Sequence, residues 1–305
     1  MSRTGKALLF LGLLVVLAFF ASVGSFFQMI RQFSQQSGEV ESKAHITVLN
    51  VMGPIMSAEE YLASIKRIGE DKQCKGVLVR IESPGGAVGA SQEIFEALLK
   101  LRKKGMPVIV SQANIAASGG YYISLAGEKI FANPGTLTGS IGVIFQFPEA
   151  ERLLEKVGVS LQTVKSGALK DVGNPGRKPT AIELKYLQSV IDDTFDQFVD
   201  DVVANRPITR EKLLPVADGR VITGRQAKNL GLVDTLGGFD DAKAFLAKKA
   251  GLGADYPTRQ EPKQKKWYET LVEESQSQSI SGIKQLALEW LPALRPGLYF
   301  LYQQP

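Results

Sequence analysis

Apolar and polar positions alternate in two different periods along residues 45–251. Short runs rich in β-branched residues predict strands, and stretches with apolar residues three or four apart predict helices. Strands are predicted at residues 45–51, 76–81, 107–112, 129–132, 140–145 and 161–165. Helices are predicted at residues 58–71, 92–104, 116–125, 148–157, 180–205, 211–216, 224–230 and within 233–251. This succession of strand and helix predicts an α/β fold with a mostly parallel sheet.

The longest predicted helix has a defined start. Thr180 is a candidate N-cap, and Glu183 follows three residues later, as in a capping box.

A different pattern stands at the N-terminus, where residues 7–27 are uncharged and almost wholly apolar. At ~1.5 Å per residue, such a helix spans a hydrocarbon core of ~30 Å. Arg3 and Lys6 precede this run, which places the N-terminus in the cytoplasm and the following chain outside it. We predict an uncleaved anchor in the inner or plasma membrane. The alternative is a cleaved signal peptide with a poor processing site at residues 21–24.

The composition changes again at both ends of the α/β region. We therefore divide the chain into a cytoplasmic N-terminus (1–6), an anchor (7–27), a tether (28–44), a compact domain (45–253) and a C-terminal tail (254–305). Within the tail, residues 256–266 are polar and contain proline, which favours a linker. The rest of the tail is a partly ordered segment, a contact with another subunit, or a contact with lipid.

Charge and residue counts exclude several functions. The net charge of +5 is too small and too scattered for a nucleic-acid-binding protein. A single cysteine, Cys74, excludes an intramolecular disulfide. The single histidine, His45, begins a predicted strand, so a histidine-based triad or a multi-histidine metal site is not expected. We interpret both residues as structural.

The most informative segment is NIAASGGYY at residues 114–122. It places Ser118 between a predicted strand and a predicted helix, among small residues that let another backbone approach closely. Ser118 is therefore either a nucleophile or an N-cap on a tight turn.

A glycine loop follows another predicted strand, at Ser83-Pro84-Gly85-Gly86. Such a loop can present backbone N–H groups to a developing oxyanion, or it can be a plain turn. The Lys-Ser/Thr pair of a phosphate-binding loop does not follow these glycines, so no nucleotide or other cofactor is expected.

Without a suitable histidine, a base for Ser118 would have to be a lysine held neutral by its surroundings. Lys165 and Lys170 lie in the segment KSGALKD at residues 165–171, where apolar Ala168 and Leu169 precede Lys170. From residue types alone, these lysines are more often solvated surface groups.

Four ordered segments carry a resemblance to a known family: AASGGYYIS, TLTGSIGV, KSGALKD and DGRVITGRQAKNLGLVD. Together they resemble the signal peptide peptidase A family, also called protease IV, in its half-length, single-domain bacterial form. The resemblance runs from about residue 46 to residue 250. It implies a crotonase/ClpP-like α/β fold for the domain at 45–253 and a dome-shaped homo-oligomer. The implied substrates are remnant signal peptides, cut within their apolar core after export.

The resemblance also assigns roles to individual residues. It implies that Ser118 is the nucleophile, that Lys170 is the general base, and that Ser140 assists the lysine. The separation of 52 residues between Ser118 and Lys170 fits the single-chain form of this dyad. Gly85 would supply an oxyanion-hole N–H, with Gly86 as the alternative. Ala87 stands where the family pattern often has a further glycine, which weakens this last assignment.

Three other functions remain open at this level. One is a membrane-anchored serine protease of the same superfold that acts in membrane-protein quality control. Another is a crotonase-type acyl-CoA enzyme, which an extracytoplasmic location disfavours. The third is a non-catalytic scaffold.

Overall fold

The computed structural model describes residues 28, 43–253, 256–261 and 297–301, with backbone alone for 297–299 and 301. Nearly all of the predicted anchor and tether lies outside these residues. Among the residues described, no helix is both long enough and apolar enough to cross a bilayer.

The described chain alternates strands and helices throughout. The strands are β1 (His45–Met52), β2 (Cys74–Ser83), β3 (Gly85–Ala87), β4 (Val108–Ala117), β5 (Lys129–Ala132), β6 (Leu137–Gly139), β7 (Ile144–Gln146), β8 (Val221–Thr223), β9 (Thr235–Leu236), β10 (Thr258–Gln260) and β11 (Gly297–Leu301). The helices are α1 (Glu59–Glu70), α2 (Val88–Lys103), α3 (Gly119–Ser124), α4 (Glu151–Lys156), α5 (Ala181–Asn205), α6 (Arg210–Leu213), α7 (Gly224–Asn229) and α8 (Phe239–Lys249).

The main sheet is rich in parallel pairs, which confirms the predicted class. Its strands run in the order β10-β1-β2-β4-β5-β9, and every neighbour in this series is parallel. β6 pairs parallel with the end of β4, and β8 pairs antiparallel with β6. A second, small sheet has the order β3-β11-β7.

Both faces of the main sheet are buried, as expected for parallel strands covered by helices. Successive side chains of a strand point to opposite faces. Val77 and Val79 of β2 therefore join the larger core, whereas Leu78 joins a smaller one. Helices α2, α3 and α5 contribute buried side chains to the larger core, and α8 contributes Leu246 to the smaller one.

The longest helix confirms its predicted start. Glu183 N–H donates to Thr180 Oγ1 at 3.3 Å, and Thr180 N–H donates to Glu183 Oε2 at 2.7 Å. These two bonds form the capping box at the N-terminus of α5.

Other elements differ from the predictions. β4 continues to Ala117, five residues past its predicted end, because β6 provides a partner for this extension. The predicted strand at 140–145 is instead two short strands, β6 and β7, on either side of an extended stretch. Residues 161–165 are not a strand, since their side chains are exposed. The predicted linker at 256–266 contains β10, which pairs with β1 at the sheet edge.

Candidate active site

Two neighbouring parallel strands end side by side and place two serines next to each other. In the pairing of β4 with β6, Ala117 is opposite Gly139. Ser118 and Ser140 are the residues that follow, so they occupy equivalent positions on adjacent chains. Both are buried. The shared strand ends therefore bring together the predicted nucleophile and the serine predicted to assist the base.

The backbone at both serines has an unusual conformation. Ser118 has φ 52° and Ser140 has φ 50°, and they are the non-glycine residues with positive φ in the described chain. Such a conformation costs about 1–3 kcal/mol and persists only where the surroundings impose it. Here, Ser118 N–H donates to Gly139 O at 2.8 Å, and Tyr122 N–H donates to Ser118 O at 2.8 Å. The strand ladder and the first turn of α3 thus hold Ser118 in place.

The hydroxyl of Ser118 is available for chemistry. Ser118 is 1% exposed, and its Oγ has no hydrogen-bond partner within the described residues. Its side chain makes no cap bond to α3. The N-cap role that the sequence left open is therefore not the role of this side chain.

The glycine loop lies against the same strand ends. Ser83, at the end of β2, is paired with Ala116 of β4, and Gly85 follows with φ 107°. The Gly85 N–H donates to Ser83 Oγ at 3.1 Å. A Cβ built on Gly119 would lie 3.1 Å from the Gly86 nitrogen and 3.2 Å from the Gly85 Cα. The Gly119 N–H was absent from the sequence assignments, although Gly119 directly follows the predicted nucleophile.

The structure does not bring Lys170 to this cluster. Lys170 is exposed and lies in a turn segment, where its N–H donates to Gly167 O at 3.1 Å. The absence of any partner for Ser118 Oγ among the described residues means that Lys170 Nζ is not hydrogen-bonded to it. The two predicted members of the dyad are thus separate in the single chain.

The two lysines of the KSGALKD segment have different surroundings. Lys165 Nζ contacts Asp171 Oδ1 at 2.5 Å and donates to Ala168 O at 3.1 Å. Among the described residues, Lys170 Nζ has no comparable hydrogen bond or ion pair. Lys165 is therefore held as a charged partner of a carboxylate, whereas the Lys170 amine remains available.

An ion-pair network fixes this segment to α5. Arg177 Nη2 contacts Asp171 Oδ1 at 2.9 Å and Glu183 Oε1 at 2.5 Å. The hydrogen bond with Arg177 and then the backbone N–H of Thr180 lower the pKa of Glu183 to about 2. Hydrogen bonds from Arg177 and then Lys165 hold the pKa of Asp171 well below its ordinary value. Arg177 thus links the Lys170 segment to the capping box of α5.

The other predicted structural residues lie away from the serines. His45 begins β1 and is buried, with its Nε2 3.3 Å from Asp71 Oδ2. Cys74 begins β2 and is buried, with its Sγ 3.3 Å from Thr47 Oγ1. Within the described ranges, no cluster of three or more His, Cys, Asp or Glu side chains could hold a metal ion.

Comparison with known proteins identifies the class. The sequence profile described as Peptidase family S49 matches residues 100–253. A presumed protease of Synechocystis sp. is 45% identical over 219 residues, which cover 71% of this chain and 78% of that protein. A presumed signal peptide peptidase SppA of Enterococcus faecium is 43% identical over 194 residues, covering 64% of this chain and 56% of that protein. The chloroplastic serine protease SPPA of Arabidopsis thaliana is 34% identical over 205 residues, covering 67% of this chain and 30% of that protein.

The α/β fold with a parallel-rich sheet is consistent with the fold of this class of peptidase. The chain belongs to peptidase family S49 and is a serine protease similar to SppA and protease 4.

The network around Arg177 generates a prediction about the Lys170 segment. Arg177→Gln removes both ion pairs, so amide hydrogen exchange of residues 165–174 should become faster by roughly threefold or more at neutral pH. Arg152→Gln, an exposed arginine on α4, is the matched control and should leave this exchange unchanged. Unchanged exchange in Arg177→Gln would show that the network does not restrain the segment.

The same network has a defined pH dependence. A carboxyl group whose folded pKa is lowered stabilises the folded state above its ordinary pKa and loses that effect as the pH falls. For Glu183, the loss extends from the ordinary value of 4.5 down to about 2. Exchange of residues 165–174, corrected for its intrinsic pH dependence, should therefore accelerate only in this acidic range.

Proposed function

We propose that the protein is a membrane-anchored serine endopeptidase that uses a Ser118/Lys170 dyad to cleave remnant signal peptides after export. The main support is the buried Ser118 hydroxyl, held without a hydrogen-bond partner among the described residues at the turn between β4 and α3. The name of the Enterococcus relative supports the substrate class.

The proposed reaction is acyl transfer through the serine. A neutral Lys170 amine removes the hydroxyl proton of Ser118 as Oγ attacks the peptide carbonyl carbon. The resulting ammonium returns this proton to the leaving amine, and the C–N bond breaks. Water, deprotonated by the same amine, then hydrolyses the acyl-enzyme and regenerates the free serine.

The tetrahedral intermediate requires donors for its oxyanion. We propose the backbone N–H groups of Gly119 and of Gly85, with Gly86 as the alternative. Their proximity supports this role, since a Cβ built on Gly85 would lie 2.8 Å from the Gly119 nitrogen. Ser140, at the position equivalent to Ser118 on the neighbouring strand, is suited to receive a hydrogen bond from the lysine.

Lys170 needs a change of surroundings for this role. An exposed lysine has a pKa of about 10.4 and is charged at neutral pH, whereas a buried lysine loses its proton much more easily. Lys170 is exposed in the single chain. We propose that a second copy of the chain covers the Lys170 segment and that each Ser118 receives its base across this contact.

An exposed apolar surface supports such a contact. The segment between β7 and α5 carries large apolar side chains that are 38% to 103% exposed. They are Leu153, Val157, Val159, Leu161, Val164 and Leu169. A surface of this kind is typical of protein–protein or membrane contacts. A homo-oligomer would bury it and would remove water from Lys170 at the same time.

The membrane anchor rests on the apolar run at residues 7–27, which lies outside the described residues. An anchor there would hold the catalytic domain at the outer face of the inner or plasma membrane, where remnant signal peptides remain after export. The same location is compatible with cleavage of other membrane proteins, which profiling of peptide substrates distinguishes.

Two single substitutions test the dyad. Ser118→Ala and Lys170→Ala should each lower peptide cleavage by roughly 10³-fold or more, because each removes one partner of the proton transfer. Lys178→Ala, an exposed lysine eight residues further on, is the matched control and should retain cleavage. Substantial activity in either dyad variant contradicts the dyad.

Mixing the two inactive variants tests the contact between copies. If Lys170 comes from a neighbouring copy, co-assembled Ser118→Ala and Lys170→Ala chains form intact sites and recover up to roughly a quarter of the activity. Absence of recovery in a mixed oligomer contradicts the arrangement across copies.

The pH profile tests the protonation state of the base. Cleavage should rise roughly tenfold per pH unit below the pKa of Lys170 and level off above it, because the neutral amine is the active form. The ion pairs around Arg177 persist well below pH 6, so their loss does not cause this rise. A rate that stays flat from neutral pH to below pH 6 contradicts a lysine base.

A further inference from the structure

A strand from the C-terminal tail lies beside the candidate active site. β11 pairs antiparallel with β3 on one side and with β7 on the other. In this register, Phe300 is opposite Gly86, and Leu301 is opposite Gly85. The gap between β3 and β7 is thus filled by one extended segment, in the way that a peptide adds to the edge of a sheet.

The carbonyl group of Phe300 occupies a distinctive position. A Cβ built on Gly85 would lie 2.1 Å from the Phe300 oxygen and 2.8 Å from the Gly119 nitrogen. The oxygen therefore lies against Gly85 and beside the residue that follows Ser118. The carbonyl of a peptide under attack by Ser118 would need this position.

The ring of Phe300 fills an aromatic pocket. Phe300 is 0% exposed. Its ring centroid is 5.1 Å from that of Tyr122 in a stacked arrangement and 4.6 Å from that of Phe198 in a tilted one. Phe95 contacts the other edge of Tyr122, with centroids 5.2 Å apart. Helices α2, α3 and α5 each contribute one ring to this aromatic pocket.

The polar end of Tyr122 is also satisfied. Its hydroxyl donates to Asp201 Oδ2 on α5, and burial raises the pKa of the Tyr122 hydroxyl. The ring is therefore fixed between α3 and α5, and its apolar face remains available to whatever enters the pocket.

We propose that residues 297–301 are a tethered occupant of the substrate groove, and that the aromatic pocket selects a large aromatic or apolar side chain immediately before the scissile bond. This proposal rests on the proposed function, because it takes Ser118 as the attacking group. A tethered segment competes at a high effective concentration. Peptide substrates must therefore displace β11 before they bind.

Two substitutions release the segment by different means. Phe300→Ala empties the aromatic pocket. Leu298→Pro removes a backbone donor from β11 and leaves Phe300 and the pocket rings unchanged. Trp267→Ala is the control, since it removes another aromatic side chain of the same tail. Thermal melting of each full-length variant verifies that it is folded.

Both releasing variants should cleave a test peptide with phenylalanine before the scissile bond at a KM lower by roughly tenfold. The control should behave as the unsubstituted protein. A capped peptide of sequence GLYFL should inhibit Phe300→Ala, whereas GLYAL should not. Equal KM values in all folded variants, or equal inhibition by the two peptides, would overturn the proposal.

A second measurement separates this proposal from the catalytic one. In a Ser118→Ala background, Phe300→Ala should accelerate amide hydrogen exchange at Gly85–Ala87, and added GLYFL should slow it again. This readout needs no catalysis. If exchange responds and no variant cleaves any peptide, the groove assignment stands and the proposed protease mechanism fails. If cleavage depends on Ser118 and exchange does not respond, the tethered segment is the part that fails.

Discussion

The parallel pairing of β4 with β6 is the constraint on which the candidate site depends. It ends the two strands at the same level and forces Ser118 and Ser140 into positive-φ conformations next to each other. A buried hydroxyl without a partner costs about 1–3 kcal/mol, and the strained backbone adds a cost of similar size. The sheet and the helices packed on it supply the stability that tolerates both. The nucleophile is therefore positioned before any substrate arrives.

The proposed base is supported in a different manner. The Lys170 segment is attached to α5 through Arg177, Asp171 and Glu183, and these ion pairs define where the segment lies. They do not bury it. A rigid nucleophile and an exposed base within one chain imply that the active form needs an additional surface. The exposed apolar side chains between β7 and α5 are suited to form that surface.

The sequence predicted much of the fold and only parts of the site. The alternation of periods predicted the parallel α/β class, and the Thr180 capping box predicted the start of α5 correctly. Such features are local and depend on few residues. The extension of β4 to Ala117 and the split of 140–145 into β6 and β7 depend on partner strands distant in sequence. The Ser118 turn was recognisable from its small neighbours, but its positive φ was not.

The tail illustrates a second limit. Residues 297–301 are apolar and follow a Pro-Gly pair, with no periodicity that marks a particular partner. Their position between β3 and β7 depends on the shape of the gap and on the rings beneath Phe300. The role of the Gly119 N–H escaped the sequence for a related reason, because a backbone donor has no residue type of its own. Contacts of this kind become visible only when the strand ends are assembled.

The most direct test of the account is covalent labelling of the full-length protein with a fluorophosphonate, followed by peptide mapping of the modified residue. The account predicts a single modification at Ser118, in a sample that also cleaves peptides, with labelling and cleavage lost together as the reaction proceeds. Modification at a different serine that abolishes cleavage, or complete cleavage activity after Ser118 is fully modified, would contradict it.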